Sequence, residues 1–386
     1  MLHDTLPPPS DTALAVSHAL STHIRNTLQH AGGWLSFSEY MELALYAPGL
    51  GYYSAGSHKL GRHGDFVTAP ELTPLFAQTV ARQIAQLLPQ TAGTLLEFGA
   101  GSGRLAADLL QALEALNTLP TRLLIVEISP DLIERQHATL AHAVPHLLSR
   151  IEWLSTLPEH IDGVVIGNEV LDAMPCELVR RDADGQLWRR GICANEQGLA
   201  WQDRPLRDPQ LLITAQACVP QREYQTELSR ANAAFIRTLG ERLLRGALLL
   251  IDYGFPAAEF YHPDRHMGTL ICHYRHHTHH DPLWLPGLSD ITSHVNFSAV
   301  AVAGIDAGLD LIGYTTQAQF LINCGITDAL AQLDPNDPTH YLPHAAAVHT
   351  LLAPAEMGEL FKVIGWGRNV SIDWLGFMHG DRCHTL

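Results

Sequence analysis

A chain of 386 residues, 46% of them hydrophobic, has the material for a large core with further elaboration around it. Its formal charge of −16 argues against a nucleic-acid partner, which normally requires a basic face. Six cysteines without a Cys-x-x-Cys pair argue against a disulfide framework and a structural zinc site, and no apolar run approaches the ~20 residues of a membrane helix.

Residues 1–11 carry three consecutive prolines and read as a flexible leader without a hydrophobic signal region or an Arg-rich transit pattern. The expected compartment is therefore the cytoplasm. Residues 12–31 and 36–45 have helical periodicity, the second with Ser36 as N-cap and Glu39 three positions on. A turn-rich stretch at 48–56 and an irregular loop at 64–71 precede a helix at 74–88, so 12–90 reads as a helical region that covers a cofactor. Residues 94–98 are apolar and strand-like. Gly99, Gly101 and Gly103 follow at alternate positions, and an amphipathic helix begins at once.

Further apolar strands are expected at 122–127, 161–167 and 246–252, each ending in polar residues: Glu127, Asn168-Glu169 and Asp252-Tyr253. Strands alternating with helices describe an α/β fold with a Rossmann-like parallel sheet and its site along one edge. The expected core spans 91–175 and 231–386, with an elaboration at 255–355 and short closing strands at 361–364 and 375–377. Residues 176–230 form an insertion. Within it, 176–201 alternates around Asp184-Gly185 and Gln197-Gly198, the pattern of paired hairpins near a substrate.

Glycines let the backbone turn sharply and approach a ligand closely. A dinucleotide fingerprint places its third glycine one position later than Gly103, where this chain has Arg104. The compact spacing, Glu97 just before it and Glu127 at the next strand end favour S-adenosylmethionine, whose ribose needs a carboxylate but which has no pyrophosphate to cradle. A nicotinamide cofactor, and glycines that serve packing alone, are the competing readings. Glu169 and Asp172, three apart after a buried strand, suit a cationic substrate: paired carboxylates can grip a guanidinium and offset its charge. The alternative is a solvated acidic turn. Asp65 and Thr68 lie in a loop suited to the methionine end of the cofactor, with Glu71 facing the substrate or simply capping a helix. Among five histidines between His273 and His280, His276 and His280 are four apart and invite a metal. The run has no clear helical or strand pattern and no carboxylate at a known spacing, so no metal is expected and it reads as a surface or interface loop. His294 reads as a substrate-positioning group or as a structural histidine bonded to Asp290.

Eight segments in order (46–53, 64–71, 96–103, 168–175, 250–254, 281–297, 317–325 and 357–362) resemble the MidA-like methyltransferases, whose mitochondrial members assist assembly of respiratory complex I. The resemblance spans nearly the whole chain. It implies the class I methyltransferase fold, S-adenosylmethionine as cofactor with S-adenosylhomocysteine as product, and an arginine of a protein as acceptor. It also implies cofactor contacts at Gly99, Gly101, Glu127, Asp65, Thr68 and Asn168, with Glu71, Glu169 and Asp172 near the substrate. Glu97 and Gly103 complete the expected cofactor set, and Asp252, Tyr253 and His294 are further substrate candidates. One departure is Asn296, where relatives are expected to carry an acid. An assembly factor that keeps the cofactor for stability, a methyltransferase for a small nucleophile, and a homo-oligomer all stay open.

Overall fold

The structure, a computed structural model, describes residues 6–55 and 68–386. Its main sheet contains seven principal strands, numbered here in chain order: Thr94–Phe98 (β1), Arg122–Val126 (β2), Ile151–Leu154 (β3), Ile161–Asn168 (β4), Leu243–Phe255 (β5), Asp310–Thr316 (β6) and Phe361–Arg368 (β7). They lie in the order β3-β2-β1-β4-β5-β7-β6. The run from β3 to β5 is parallel, and β7 is antiparallel to both of its neighbours.

Residue alternation explains why these strands are almost wholly apolar. Leu95, Ile125, Val164 and Leu249 face one core, into which the helices Pro74–Leu87 and Arg104–Ala115 pack. Leu96, Leu124, Val165 and Leu248 face another, covered by Arg230–Arg242 and Phe297–Asp306. A parallel sheet buried on both faces has no solvent side to make polar. The functional consequence is at the strand ends. The chain leaves β1, β2 and β4 on one edge, where loops rather than packed side chains meet.

A second, antiparallel sheet comes from the insertion and the N-terminal region together. Glu177–Arg181, Leu187–Asn195, Gly198–Pro205 and Tyr224–Leu228 pair with one another, and Leu35–Ser36 joins them through Leu187–Asn195. The two hairpins turn around Asp184-Gly185 and just before Gly198. Leu20, Ile24, Tyr40 and Met41 of the helices Asp11–His30 and Phe37–Tyr46 pack against Leu178 and Ile192 of this sheet. The expected capping box is present, with Ser36 N–H donating to Glu39 Oε2 at 2.8 Å and Glu39 N–H to Ser36 Oγ at 3.3 Å. Thus the helical region expected to cover the cofactor is anchored on the insertion.

Three expectations are corrected. Leu375–Phe377 is a short 3₁₀ turn, not a strand, and the closing strand is Asp310–Thr316, which the sequence reading left inside the elaboration at 255–355. Its apolar run is short, and Gly313 sits at a register shift in its pairing with β7, which hides the strand from a pattern search. The histidine run is a hairpin of Ile271–Tyr274 with His277–His279, turned by Arg275 and His276 at φ of 46° and 63°. Two successive positive φ values are the mark of a type I′ turn, here formed without its usual glycine. Among the described residues no group of His, Cys, Asp or Glu is placed to hold a metal ion, and no helix is long and apolar enough to cross a membrane.

Candidate functional site

A cavity of about 620 Å³ opens over the ends of β1, β2 and β4. Gly99, Gly101 and Gly103 take φ of 63°, 53° and 81°, a region that side chains rarely enter. Gly99 and Gly101 line the cavity, but Gly103 does not. A Cβ on Gly103 would lie 3.0 Å from Gln136 Cα, so that glycine serves the approach of the helix Pro130–Ala143. The pattern of three therefore divides into two glycines on the cavity wall and one at a helix-packing contact.

Glu127 follows β2 and lines the cavity. Its Oε1 accepts from the N–H groups of Ile128 and Ser129 at 2.8 and 2.9 Å, and its Oε2 from Gln136 Nε2 at 3.1 Å. Gln136 Nε2 also donates to Gly101 O at 3.2 Å, and Trp153 Nε1 donates to Gln136 Oε1 at 2.9 Å. One buried amide thus ties the glycine turn to the acid after β2. Sequence reasoning missed Gln136, although a glutamine on the stripe Ile133-Gln136-Leu140 is a polar residue at an apolar position.

The other acids converge on the same space. Glu97 is buried, its Oε2 has no hydrogen-bond partner, and burial pushes its pKa up to about 8. Asn168 Nδ2 donates to Glu169 Oε1 at 2.9 Å, while Asn168 Oδ1 is buried without a partner. Glu169 takes φ of 53°, and burial together with the neighbouring Asp172 raises its pKa to about 8. Asp172 Oδ1 is likewise unpartnered, and burial lifts this carboxyl to about 6 against the opposing pull of the Tyr253 hydroxyl.

Asp252, Tyr253 and His294 are not on the cavity wall. Asp252 Oδ2 accepts from the N–H groups of Val170, Leu171 and Asp172 at 3.1, 2.8 and 3.3 Å, and Oδ1 from Tyr253 N–H at 2.9 Å. Its carboxylate is committed to the acid loop rather than offered to a substrate. The His294 ring stacks on Phe255 at 5.3 Å and meets the edge of Tyr253 at 5.0 Å. Burial, with Arg265 nearby, lowers its pKa to about 4, so it is neutral at physiological pH. Glu71 lines the cavity but accepts a hydrogen bond from Ser102 Oγ, which sets it at the glycine turn rather than beside Glu169. Thr68 lines the cavity ahead of the short helix Ala69–Leu72, and Asp65 lies outside the described residues. Tyr46, Tyr53 and Asp290 also line the cavity, and the sequence reading gave none of them a site role.

Among the described lining residues are seven carboxyl side chains and one cation, Arg104, itself paired with Asp108 at 2.7 Å. An unpartnered buried acceptor is costly, and Glu97, Asn168 and Asp172 each hold one. The cavity calls for a cationic, donor-rich occupant. S-adenosylmethionine fits: it carries an ammonium and a sulfonium, and a ribose diol that a carboxylate such as Glu127 can receive. A pyrophosphate would face carboxylates.

Sheet order and cavity chemistry together define a Rossmann-like class I methyltransferase. Comparison with known proteins agrees. Residues 75–315 match the family described as S-adenosyl-L-methionine-dependent methyltransferase, and the chain belongs to that family. A superfamily member from Burkholderia thailandensis, crystallised with S-adenosyl-homocysteine, shares 50% identity and superposes with a TM-score of 0.96, covering 99% of this chain and 100% of that one. The mitochondrial protein arginine methyltransferase NDUFAF7 of Danio rerio is 26% identical over 92% of this chain and 88% of its own. Its homologue in Caenorhabditis elegans is 28% identical over 78% and 75%. The cofactor is S-adenosylmethionine.

Proposed function

We propose that this methyltransferase acts on the guanidinium of an arginine in a protein substrate. The observation that carries the reading is the buried acid loop beside the cofactor cavity, Glu169 and Asp172, with Asp290 on the same wall. An arginine side chain stays protonated in water, so a site for it must compensate a full positive charge. Carboxylates raised to about 8 and about 6 in the free protein are stabilised in ionised form by such a charge. The names of the relatives in Danio rerio and Caenorhabditis elegans point the same way.

We assign Gly99 and Gly101 to close backbone approach to the cofactor, Glu127 to its ribose, and Glu97 with Asn168 to its amino-acid end. Bound S-adenosylmethionine supplies an electrophilic methyl group on a good leaving group, so the protein's task is mainly alignment. Well-oriented groups reach effective molarities of ~10⁵–10⁸ M without a strong base. Glu169 and Asp172 hold the guanidinium and offset its charge. As its nitrogen bonds the methyl, the S–CH3 bond would break to leave the neutral thioether of S-adenosylhomocysteine, and the proton lost by that nitrogen passes to one of these carboxylates. Asp252 fixes the loop that carries them. We also assign the protein to the cytoplasm, a setting in keeping with six cysteines that are all free.

The test is to incubate the protein with lysate and isotopically labelled S-adenosylmethionine, then locate the label by mass spectrometry. A methyl on an arginine is expected. A methyl on another residue removes the guanidinium argument, and a complete lack of labelled protein favours an assembly factor.

A further inference from the structure

We infer that Tyr46 and Tyr53 form an aromatic wall that selects a planar guanidinium over an ammonium of equal charge. The inference rests on the arginine reading above and names what would enforce it. The two rings stack with centroids 5.5 Å apart and planes inclined by 22°, and both line the cavity shared with Glu169, Asp172 and Asp290.

Local structure brings these tyrosines together. Tyr46 ends the helix Phe37–Tyr46, and the chain then doubles back so that Tyr52 N–H donates to Ala44 O and Tyr53 N–H to Leu45 O, each at 2.9 Å. Gly51 makes the reversal possible, since a Cβ there would lie 2.6 Å from Ala47 N. The hydroxyls are already engaged. Tyr46 Oη donates to Ala173 O at 3.0 Å and Tyr53 Oη to Asp290 Oδ1 at 2.9 Å. The rings, rather than the hydroxyls, are therefore what the pair contributes to a ligand. Burial and neighbouring acids push both phenols upward, so they remain neutral.

Glu169 and Asp172 make this selection only in part: both cations carry one positive charge, and the guanidinium adds bidentate hydrogen bonding to the carboxylates. The guanidinium is flat, weakly hydrated and stacks on aromatic rings, whereas the ammonium is a compact and strongly hydrated point charge. Either cation gains over an aromatic face, and the flat, weakly hydrated guanidinium gains the more because it also stacks. Acids on one side and stacked phenols on the other give the cavity both a charge requirement and a shape requirement.

The test uses the full chain saturated with S-adenosylhomocysteine and titrated calorimetrically with N-acetyl-arginine amide or N-acetyl-lysine amide. The arginine derivative should bind roughly fivefold tighter, because the ammonium gains from the rings too, but less. Tyr46→Phe and Tyr53→Phe should keep the preference, because the ring remains. Tyr46→Leu and Tyr53→Leu should bring the two derivatives within about twofold, with affinity for S-adenosylhomocysteine little changed. Where leucine disturbs the fold, as loss of S-adenosylhomocysteine binding would reveal, methionine at the same position replaces it. Equal affinity for both derivatives, no binding of either, or a preference that survives loss of the rings overturns the wall. The labelling experiment separates the two failures. Arginine labelled in lysate alongside equal affinities sinks the wall alone, while a label on another residue sinks the arginine reading.

Discussion

At the glycine-turn end of the cavity, Glu97, Gly99, Gly101, Glu127 and Gln136 all come from positions 97–136, two successive strand–helix units. Among the described residues, the acid-loop end is assembled from three distant places: Tyr46 and Tyr53 before the sheet begins, Glu169 to Ala173 after β4, and Asp290 in the elaboration that follows β5. The first end is the fold's own edge, repeated wherever such a sheet binds a nucleoside-type ligand. The second is made by insertions meeting over that edge, and it holds the stacked tyrosines and most of the strained or unpartnered acids. On the function proposed above, the shared part delivers a common electrophile and the assembled part chooses the acceptor.

If the two ends are separable, breaking the acid loop should leave the cofactor end largely intact. Asp252→Ala is the largest expected effect. It leaves four backbone N–H groups without their shared carboxylate, at about 1–3 kcal/mol for each one that stays buried and unsatisfied. Partial relaxation brings the total to roughly 3–5 kcal/mol, read by chemical denaturation. Methyl transfer should fall to background while S-adenosylhomocysteine still binds the folded fraction. Transfer at the normal rate would mean that the loop needs no anchor.

The converse change is Glu127→Ala. Hydrogen bonds to a charged group contribute about 1.5–3 kcal/mol, so cofactor affinity should drop about 10- to 100-fold. The affinity for N-acetyl-arginine amide at saturating S-adenosylhomocysteine should hardly move. A matching loss of both would show the two ends to be one unit.

Protonation probes the same division with a smaller effect. Glu97 is held at about 8, far above an ordinary glutamate, so the folded chain binds more protons than the unfolded one between roughly pH 4.5 and 8. Its contribution to the stability of the cofactor-free protein therefore declines as pH rises through that window. A cationic ligand favours the carboxylate, so binding should release protons, and cofactor affinity should climb towards pH 8 by up to about tenfold per unit for each proton released. Glu97→Gln should flatten that slope. An affinity independent of pH from 6 to 8 would remove Glu97 from the binding of the charged end.

What could be read from the sequence follows the same line. Gly99, Gly101, Glu127, Glu169 and Asp172 are identified by local order, because a strand end, a sharp turn and the next residue are sequence neighbours. Gln136 belongs to this local end too, and its one signal is a polar residue on the buried stripe of its helix. Tyr46, Tyr53 and Asp290 carry no local signal, since their meeting depends on where an N-terminal turn and a late loop come to rest. Asp252 was misread for a related reason. A carboxylate at a strand end looks available in sequence, and only the three-dimensional path of residues 170–172 turns three N–H groups onto it. The strand Asp310–Thr316 was lost through its register shift at Gly313.

The smallest effect tests whether the local end is positioned as tightly as its hydrogen bonds imply. Trp153 Nε1–H can only donate, so the Gln136 atom facing it must be the carbonyl oxygen, which turns the amide nitrogen towards Glu127 and Gly101. Trp153→Phe keeps an aromatic ring but removes one of three hydrogen bonds that fix the amide, leaving only Glu127 Oε2 and Gly101 O to hold its nitrogen. A looser amide is a weaker donor to the Glu127 carboxylate. The loss of a single hydrogen bond, about 0.5–1.5 kcal/mol, should weaken S-adenosylhomocysteine binding by roughly 3- to 10-fold. Arginine-derivative affinity at saturating cofactor should stay constant, because Trp153 lies beyond β2, away from Glu169 and Asp172. Gln136→Glu in the same background should weaken binding further, by setting a second carboxylate beside Glu127. Unchanged binding in Trp153→Phe would show that the backbone N–H groups of Ile128 and Ser129 orient Glu127 by themselves.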